Sequence, residues 1–330
     1  MKRLVVRVAL GVAAGIAVYI GLSIWADVGS VGEAMASFHG SAAVIACGLA
    51  AANYLVRFVR WEYYLRVLGI RVGRADSALV FFAGFALTVT PGKLGEAVKA
   101  FLLRASHQVP VARTAPIVIA ERVTDLLALL LLTLVGVFTF DVDRRFLAVG
   151  AVLVGAGILV VSVDRVADLA IALAARVPGL RRYAPRLGEL HRNTAALLHP
   201  GPLLVATLFS LAAWFLECIA VWVIVRGFEG ATISLRAATF VYATTTVAGA
   251  LSFVPGGLGV TEAGMLTLLP RLAVDVSRGT AAAATFVIRA CTLWFAVALG
   301  LPALLAYARR KHVAVDTVAV ELDRSGPPIR

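Results

Sequence analysis

Long apolar runs separated by short charged stretches dominate the chain. The first covers about 8–25 and follows Lys2, Arg3 and Arg7; others cover about 41–65, 115–140, 146–163, 203–225 and 280–307. Each is close to or longer than the ~20 residues with which an α-helix crosses a bilayer, so six spans are predicted. Two further apolar regions do not run through. Residues 77–90 and 237–254 each lead into a Pro-Gly break and re-emerge as a short arm, and a re-entrant hairpin is predicted at each.

The two breaks are near copies. Residues 85–96 read Phe-Ala-Leu-Thr-Val-Thr-Pro-Gly-Lys-Leu-Gly-Glu, and residues 250–259 read Ala-Leu-Ser-Phe-Val-Pro-Gly-Gly-Leu-Gly, with Glu262 close behind. Pro91 and Pro255 donate no backbone hydrogen bond, and Gly92, Gly256 and Gly257 permit positive φ, so helix should stop there. Gly95 and Gly259 complete the two motifs. In lipid, a freed backbone group is tolerated only where protein or a water-filled cavity satisfies it. Two breaks in corresponding halves therefore point to a site between them, with the glycines as hinges and Glu96 and Glu262 as gate residues.

Composition agrees with the pattern. The 330 residues are 61% hydrophobic and 15% charged, with a mean hydropathy of +0.91; soluble domains are about half apolar and a quarter charged. This is the composition of a polytopic membrane protein. The net charge of +12 does not point to nucleic acid, because the arginines gather at the ends of apolar runs and no basic cluster interleaves with aromatics. With a cytoplasmic amino terminus and hairpins that return to the side they enter, 21 basic residues fall inside and 6 outside. Both termini are then expected in the cytoplasm of a multi-pass cell-membrane protein. The hairpins would enter from opposite sides, the arrangement of an inverted-topology repeat.

The fold class expected is an all-α transmembrane bundle of about eight apolar segments, six spans plus two hairpins. Residues 1–310 form the membrane domain. Within it, 164–200 carries six arginines and is broken by Pro178 and Pro185; it reads as a cytoplasmic interfacial linker on anionic lipid, or alternatively as a solvated loop. The tail from Arg309, and 311–330 as a unit, is expected to be disordered. The first run reads as a retained span, since no clear small-residue cleavage site precedes Trp25. Cys47, Cys218 and Cys291 sit singly in apolar stretches as small buried hydrophobes, and the five histidines lack metal-binding spacing. No metal or cofactor is expected.

Charges inside the spans are the candidate chemistry. Asn53, Arg57, Arg60 and Tyr64 are spaced four, three and four, which places them on one helix face. Arg57 lies roughly 13 Å deeper than Arg66 at 1.5 Å per residue and reads as cavity-facing; the alternative is that Arg57 and Arg60 snorkel to the near interface. Glu121 and Asp125 share a face at i, i+4 and would repel unless a cation lies between them, while Arg122 points elsewhere, toward another helix. Glu217 sits near the middle of its span and Arg289 well inside the last one, and an ionisable group at such depth is a functional candidate. In all, Arg57, Arg60, Arg122 and Arg289 face Glu62, Glu121, Asp125, Glu217 and Glu262, a near-balance that points to pairing around an interior cavity.

Pro91-Gly-Lys-Leu-Gly-Glu96 followed by Val98-Lys-Ala-Phe-Leu-Leu103, then Glu121-Arg-Val-Thr-Asp-Leu126, then Pro255-Gly-Gly-Leu-Gly259 with Glu262 resembles the lysylphosphatidylglycerol synthase transmembrane region family, also called flippase-like membrane proteins. The likeness covers most of 1–310. It implies an α-helical bundle of about eight segments whose membrane region is similar to a lipid flippase. The aminoacyl transfer of full-length synthases belongs to a separate soluble domain, and the roughly twenty residues after Arg309 are too few for one, so the chain is not expected to be an enzyme.

The function expected is translocation of an anionic or aminoacylated phospholipid, or of a polyprenyl-linked lipid, between leaflets. Arg57, Arg60 and Arg289 are the candidate phosphate partners, because guanidinium forks match phosphate oxygens. Glu121, Asp125 and Glu217 would balance them or receive a cationic head. No phosphate loop is present, which leaves ion-coupled or downhill exchange, with Glu217 or one of the Glu121/Asp125 pair as the protonated group. The alternative is a non-catalytic membrane partner of a separate lipid-modifying or glycan-assembly enzyme. A membrane enzyme acting on a lipid phosphate is disfavoured by the lack of a positioned His, an Asp-rich metal motif or a Ser-x-x-Lys nucleophile.

Overall fold

The computed structural model describes residues 2–88, 94–137, 184–252 and 254–311, and all regular elements among them are helical. They are α1 (Lys2–Trp25), α2 (Val28–Ala36), α3 (Gly40–Val67), α4 (Arg74–Ala83), α5 (Leu94–His107), α6 (Val111–Val137), α7 (Ala184–Leu198), α8 (Pro200–Val225), α9 (Leu235–Leu251), α10 (Val260–Leu272), α11 (Arg278–Arg289) and α12 (Phe295–Lys311). Short 3₁₀ turns follow α4 at Gly84–Leu87 and precede α10 at Pro255–Gly257, and a π turn at Ala290–Trp294 joins α11 to α12.

Three described helices are long and apolar enough to cross a membrane: α3, α8 and the continuous α11–α12. The pair α1 and α2, bent by 100° at Asp27, adds a fourth if counted as one broken span. Helix α6 is 27 residues long, and its first half carries Glu121, Arg122 and Asp125. The predicted span at 146–163 lies outside the described residues. Apolar side chains on the outer faces, among them Ile20, Val44, Leu55, Leu131, Leu204 and Leu208, are exposed. They are the surface that hydrocarbon would solvate.

After the first span Asp27 caps α2, accepting from Ser30 N at 3.0 Å, and Val31 and Ala34 are buried. Of the 164–200 region, residues 164–183 lie outside the description; its end is α7, which packs on α6 with Leu197 and Leu198 buried. The chain at Arg309–Lys311 is helical rather than disordered; the residues after 311 lie outside the description.

Both Pro-Gly regions are hairpins. Asp76 at the start of α4 lies 3.3 Å from His107 at the end of α5, so the first hairpin closes on the side where it opens. In the second, Thr232 before α9 and Val274 after α10 exchange backbone hydrogen bonds of 3.1 and 2.8 Å. Asp76 also binds Arg310 and Lys311 at the end of α12, at 3.3 and 2.6 Å, whereas Val274 is four residues ahead of Arg278, the start of α11. The 34 residues from Arg278 to Lys311 form one long rod of roughly 50 Å at 1.5 Å per residue. The described arms of the two regions therefore start from opposite ends of it, and Phe85 and Thr88 of the first and Gly256 and Gly257 of the second line one cavity.

Small residues make the tight contacts. Helices α3 and α8 pack on one another, and small residues on each, Ala42, Ala46 and Ala50 of α3 and Ala206, Ser210 and Ala213 of α8, are buried. Asn53 Nδ2 donates across this seam to the Ala213 carbonyl at 2.6 Å. Such small-residue faces let helix backbones approach closely where the apolar solvent gives no hydrophobic drive. Helix α11 packs on α2, where Gly279 lies so close to Ser30 that an added Cβ would overlap it.

Candidate functional site where the hairpin tips meet

A partly open cavity, about 1190 Å³ of empty space with its mouth included, lies between the two tips. The first hairpin contributes Gly84, Phe85 and Thr88, and the second contributes Val254, Gly256 and Gly257. Gly256 adopts φ 61°, a left-handed conformation that a side chain would strain, which explains a glycine after Pro255. Pro91 and Gly92 lie outside the described residues. Gly95 and Glu96 fall in the first turn of α5, where the side chains are not described.

Five of the seven charged candidates line this cavity: Arg57, Glu121, Arg122, Glu217 and Arg289. The other two, Arg60 and Asp125, stand directly behind it. Arg60 is fully buried and donates to Asp125 at 2.5 Å, to Thr124 at 3.3 Å and to Ser210. Tyr64 reaches the same Thr124 hydroxyl at 3.3 Å, so Asn53, Arg57, Arg60 and Tyr64 share the face their spacing predicts. Arg60 is consequently a structural cation of the interior and not a cavity wall.

Asp125 collects three guanidinium groups, Arg60 at 2.5 Å, Arg122 at 3.0 Å and Arg57 at 3.4 Å. The Arg122 contact is within α6 at i, i+3, where the sequence reading sends Arg122 toward another helix; a long side chain can fold back along its own turn. Glu121 is served separately by Lys99, whose ammonium lies 2.5 Å from its carboxylate and 4.8 Å from the ring centre of Trp61. Each carboxylate of the i, i+4 pair thus has its own cation.

At the second tip, Arg289 Nε lies 2.7 Å from Glu262, and its Nη2 donates to the Gly256 carbonyl at 2.5 Å. Glu262 also accepts from Gly259 N at 2.7 Å, closing the start of α10. Arg289 therefore serves both Glu262 and a carbonyl freed by the break. The π turn begins at the next residue, and Tyr54 donates to the Thr292 carbonyl within it at 2.6 Å. A π turn inside an α-helix commonly marks a functional site.

Arg57 and Glu217 are held differently from the rest. Arg57 has the longest contact to Asp125, its Nε is buried without a partner, and its guanidinium lies 5.6 Å from the ring centre of Trp214 and 6.0 Å from Phe85. Glu217 accepts from the Tyr242 hydroxyl and forms no ion pair among the described residues.

Sequence reasoning missed Lys99 and the aromatic wall. Lys99 counts there as a cytoplasmic base, yet it is buried; its place inside the apolar run 98–103 was the available signal. Tyr54, Trp214 and Tyr242 carry no charge pattern, and only the fold brings them together.

Apolar helices long enough to cross a bilayer, packed around a charged interior cavity, are the architecture of an integral membrane protein. The chain belongs to the family described as lysylphosphatidylglycerol synthase TM region, whose model matches residues 12–300. It is similar to a UPF0104 membrane protein of Methanothermobacter thermautotrophicus, 29% identical over 275 residues, 74% of this chain and 79% of that protein. A UPF0104 membrane protein of Pyrococcus horikoshii is 25% identical over 278 residues, 75% of this chain and 82% of the relative.

Proposed function

We propose that this membrane protein moves a lipid between leaflets by taking its phosphate-bearing head group into the cavity between the hairpin tips. The observation that carries the reading is Arg57. It is a cavity-lining guanidinium whose carboxylate partner is already neutralised by two other arginines, so it can turn to a phosphate without leaving Asp125 uncompensated.

The barrier to lipid flipping is the cost of a charged head in hydrocarbon, and a lined cavity lowers that cost by replacing the head's hydration with fixed partners. Paired charges also keep the empty cavity inexpensive to maintain. The oppositely opening hairpins fit an inverted-repeat transporter in which either side gains access in turn to one central site. In this reading Arg57 binds, Arg289 and Glu262 hold the second tip, and the glycines of both breaks are hinges. The protein is then a transporter of the cell membrane with cytoplasmic termini, and no covalent chemistry is assigned to it.

The test is leaflet exchange of fluorescent short-chain phospholipids in liposomes holding the purified protein, scored by dithionite quenching. The wild type should exchange a phosphate-bearing lipid, and Arg57→Ala should lose exchange while remaining folded. A folded wild type that exchanges neither phospholipids nor a polyprenyl phosphate, even under a proton gradient, would overturn the reading in favour of a partner subunit.

A further inference from the structure

Glu217 stands apart from the other acids of the site. Lys99 pairs with Glu121, three arginines with Asp125, and Arg289 with Glu262. Glu217 is buried in the middle of α8 at 4% exposure, lines the cavity, and among the described residues meets only the Tyr242 hydroxyl from α9. The charged groups facing it are Arg57 of α3, Asp125 of α6 and Arg289 of α11, with the titratable Tyr54 of α3 and its neighbour Cys218. None of them forms an ion pair with it.

Charge arithmetic gives this isolation a consequence. Among the described residues, the site and its backing hold five cations, Arg57, Arg60, Lys99, Arg122 and Arg289, against three ion-paired acids. Whatever the total, protonation of Glu217 makes it one unit more positive. In a partly enclosed cavity, where charges are screened less than in bulk water, that added charge bears directly on an entering anion.

We infer that Glu217 is a proton-binding site thermodynamically linked to the anion site, so that a proton and a phosphate-bearing head group occupy the cavity together. The inference rests on the translocator reading of the same cavity. The proton adds to a carboxylate oxygen of Glu217 and leaves as the anion leaves; no other bond changes. Tyr242 can serve both states, because its hydroxyl can donate to the carboxylate and can also accept from a carboxylic O–H. Linkage is reciprocal: whatever factor protonation contributes to anion affinity, the anion contributes to proton affinity.

The test uses the purified full chain in detergent, titrated with short-chain phosphatidylglycerol and followed by tryptophan fluorescence, to which cavity-lining Trp214 contributes. The phosphodiester keeps its charge through neutral and mildly acidic pH, so any pH dependence belongs to the protein. Affinity should weaken by about 5- to 150-fold, the usual span of site coupling, as pH rises through the titration of Glu217. In weak buffer the wild type should take up as much as one proton per lipid bound. Glu217→Gln should bind tightly with no pH dependence and no uptake.

PH-independent binding by the wild type, or binding without proton uptake, overturns the linkage without recourse to any variant. An unchanged pH profile in Glu217→Gln assigns the proton to another group and equally overturns it. Glycerophosphoglycerol, the deacylated diester of the same constant charge, serves as the head without chains: if it binds as tightly and with the same proton uptake, the linkage stands and the lipid reading of the cavity falls. If neither probe binds the folded protein at any pH, both fall together.

Discussion

The guanidinium of Arg57 stands 3.4 Å from Asp125, a carboxylate that Arg60 already holds at 2.5 Å and Arg122 at 3.0 Å. The three arginines therefore differ in what their loss exposes. Arg57→Ala leaves Asp125 compensated and removes mainly the contact with Trp214 and Phe85, a loss of about 0.5–2 kcal/mol. Arg60→Ala leaves Asp125 Oδ1, Ser210 and Thr124 without their buried donor while Arg57 and Arg122 still hold Oδ2, and each buried polar group left unsatisfied costs about 1–3 kcal/mol. Unfolding in mixed micelles should rank Arg60→Ala well below Arg57→Ala in stability, with lipid exchange lost in both. The reverse ranking would refute the division into a structural and a ligand-facing arginine.

At the second tip, Arg289 and Glu262 form a closed unit with the Gly256 carbonyl. Arg289→Ala leaves a fully buried glutamate without its cation, with an expected loss of about 3–5 kcal/mol. Adding Glu262→Gln removes the stranded charge while a side-chain oxygen still accepts from Gly259 N. The double variant should recover part of the loss, giving a coupling of about 0.5–3 kcal/mol in a double-mutant cycle. Strict additivity would show that the pair contributes nothing to holding the tip.

Much of this architecture was legible beforehand. Span positions followed from apolar length, as α3 and α8 show against the predicted 41–65 and 203–225. The second break was readable because Pro255 donates no backbone hydrogen bond and Gly256 takes a positive φ, which ends the α-helix there; Pro91-Gly lies outside the described residues. Pair identities were not legible. Lys99 looks like any base after a loop until α5 carries it against Glu121 and Trp61, and the local fold-back of Arg122 competes with any partner on another helix. The aromatic wall is invisible for a simpler reason: Tyr54, Trp214 and Tyr242 are unremarkable residues for a membrane helix and acquire meaning only from the packing of α3, α8 and α9.

The open end of the first hairpin is tied to the end of α12 through Asp76, which meets His107, Arg310 and Lys311. The hydrogen bond and charge of Lys311, with help from Arg310 and His107, hold the Asp76 carboxyl below its ordinary value. The sign follows from that depression. Stabilisation is full above the unfolded value of about 3.9 and is lost as pH falls through the lower folded value. Because Arg310 is 55% and Lys311 28% exposed, each pair is worth at most about 1 kcal/mol. Asp76→Asn should therefore speed amide hydrogen exchange near Tyr307–Lys311 at neutral pH, with the difference from wild type vanishing in strong acid. A difference that persisted there would point to packing instead of charge.

Gly300 of α12 meets the first tip at the backbone of Phe85 and Ala86, so closely that an added Cβ would overlap main-chain atoms. A flexible side chain could move aside, but the 3₁₀ turn at Gly84–Leu87 cannot yield without moving the cavity wall that Phe85 forms. Gly300→Ala should cost about 1–3 kcal/mol, as overpacking does, and should impair lipid exchange by displacing the tip. Gly48 in the middle of α3 has nothing within 4 Å of the same added atom. Gly48→Ala should gain roughly 0.5–1 kcal/mol, the ordinary preference of a helix for alanine over glycine. Opposite signs for one chemical change at two helical glycines are the outcome the close approach requires; the same sign at both would mean that α12 and the first tip are not in contact there.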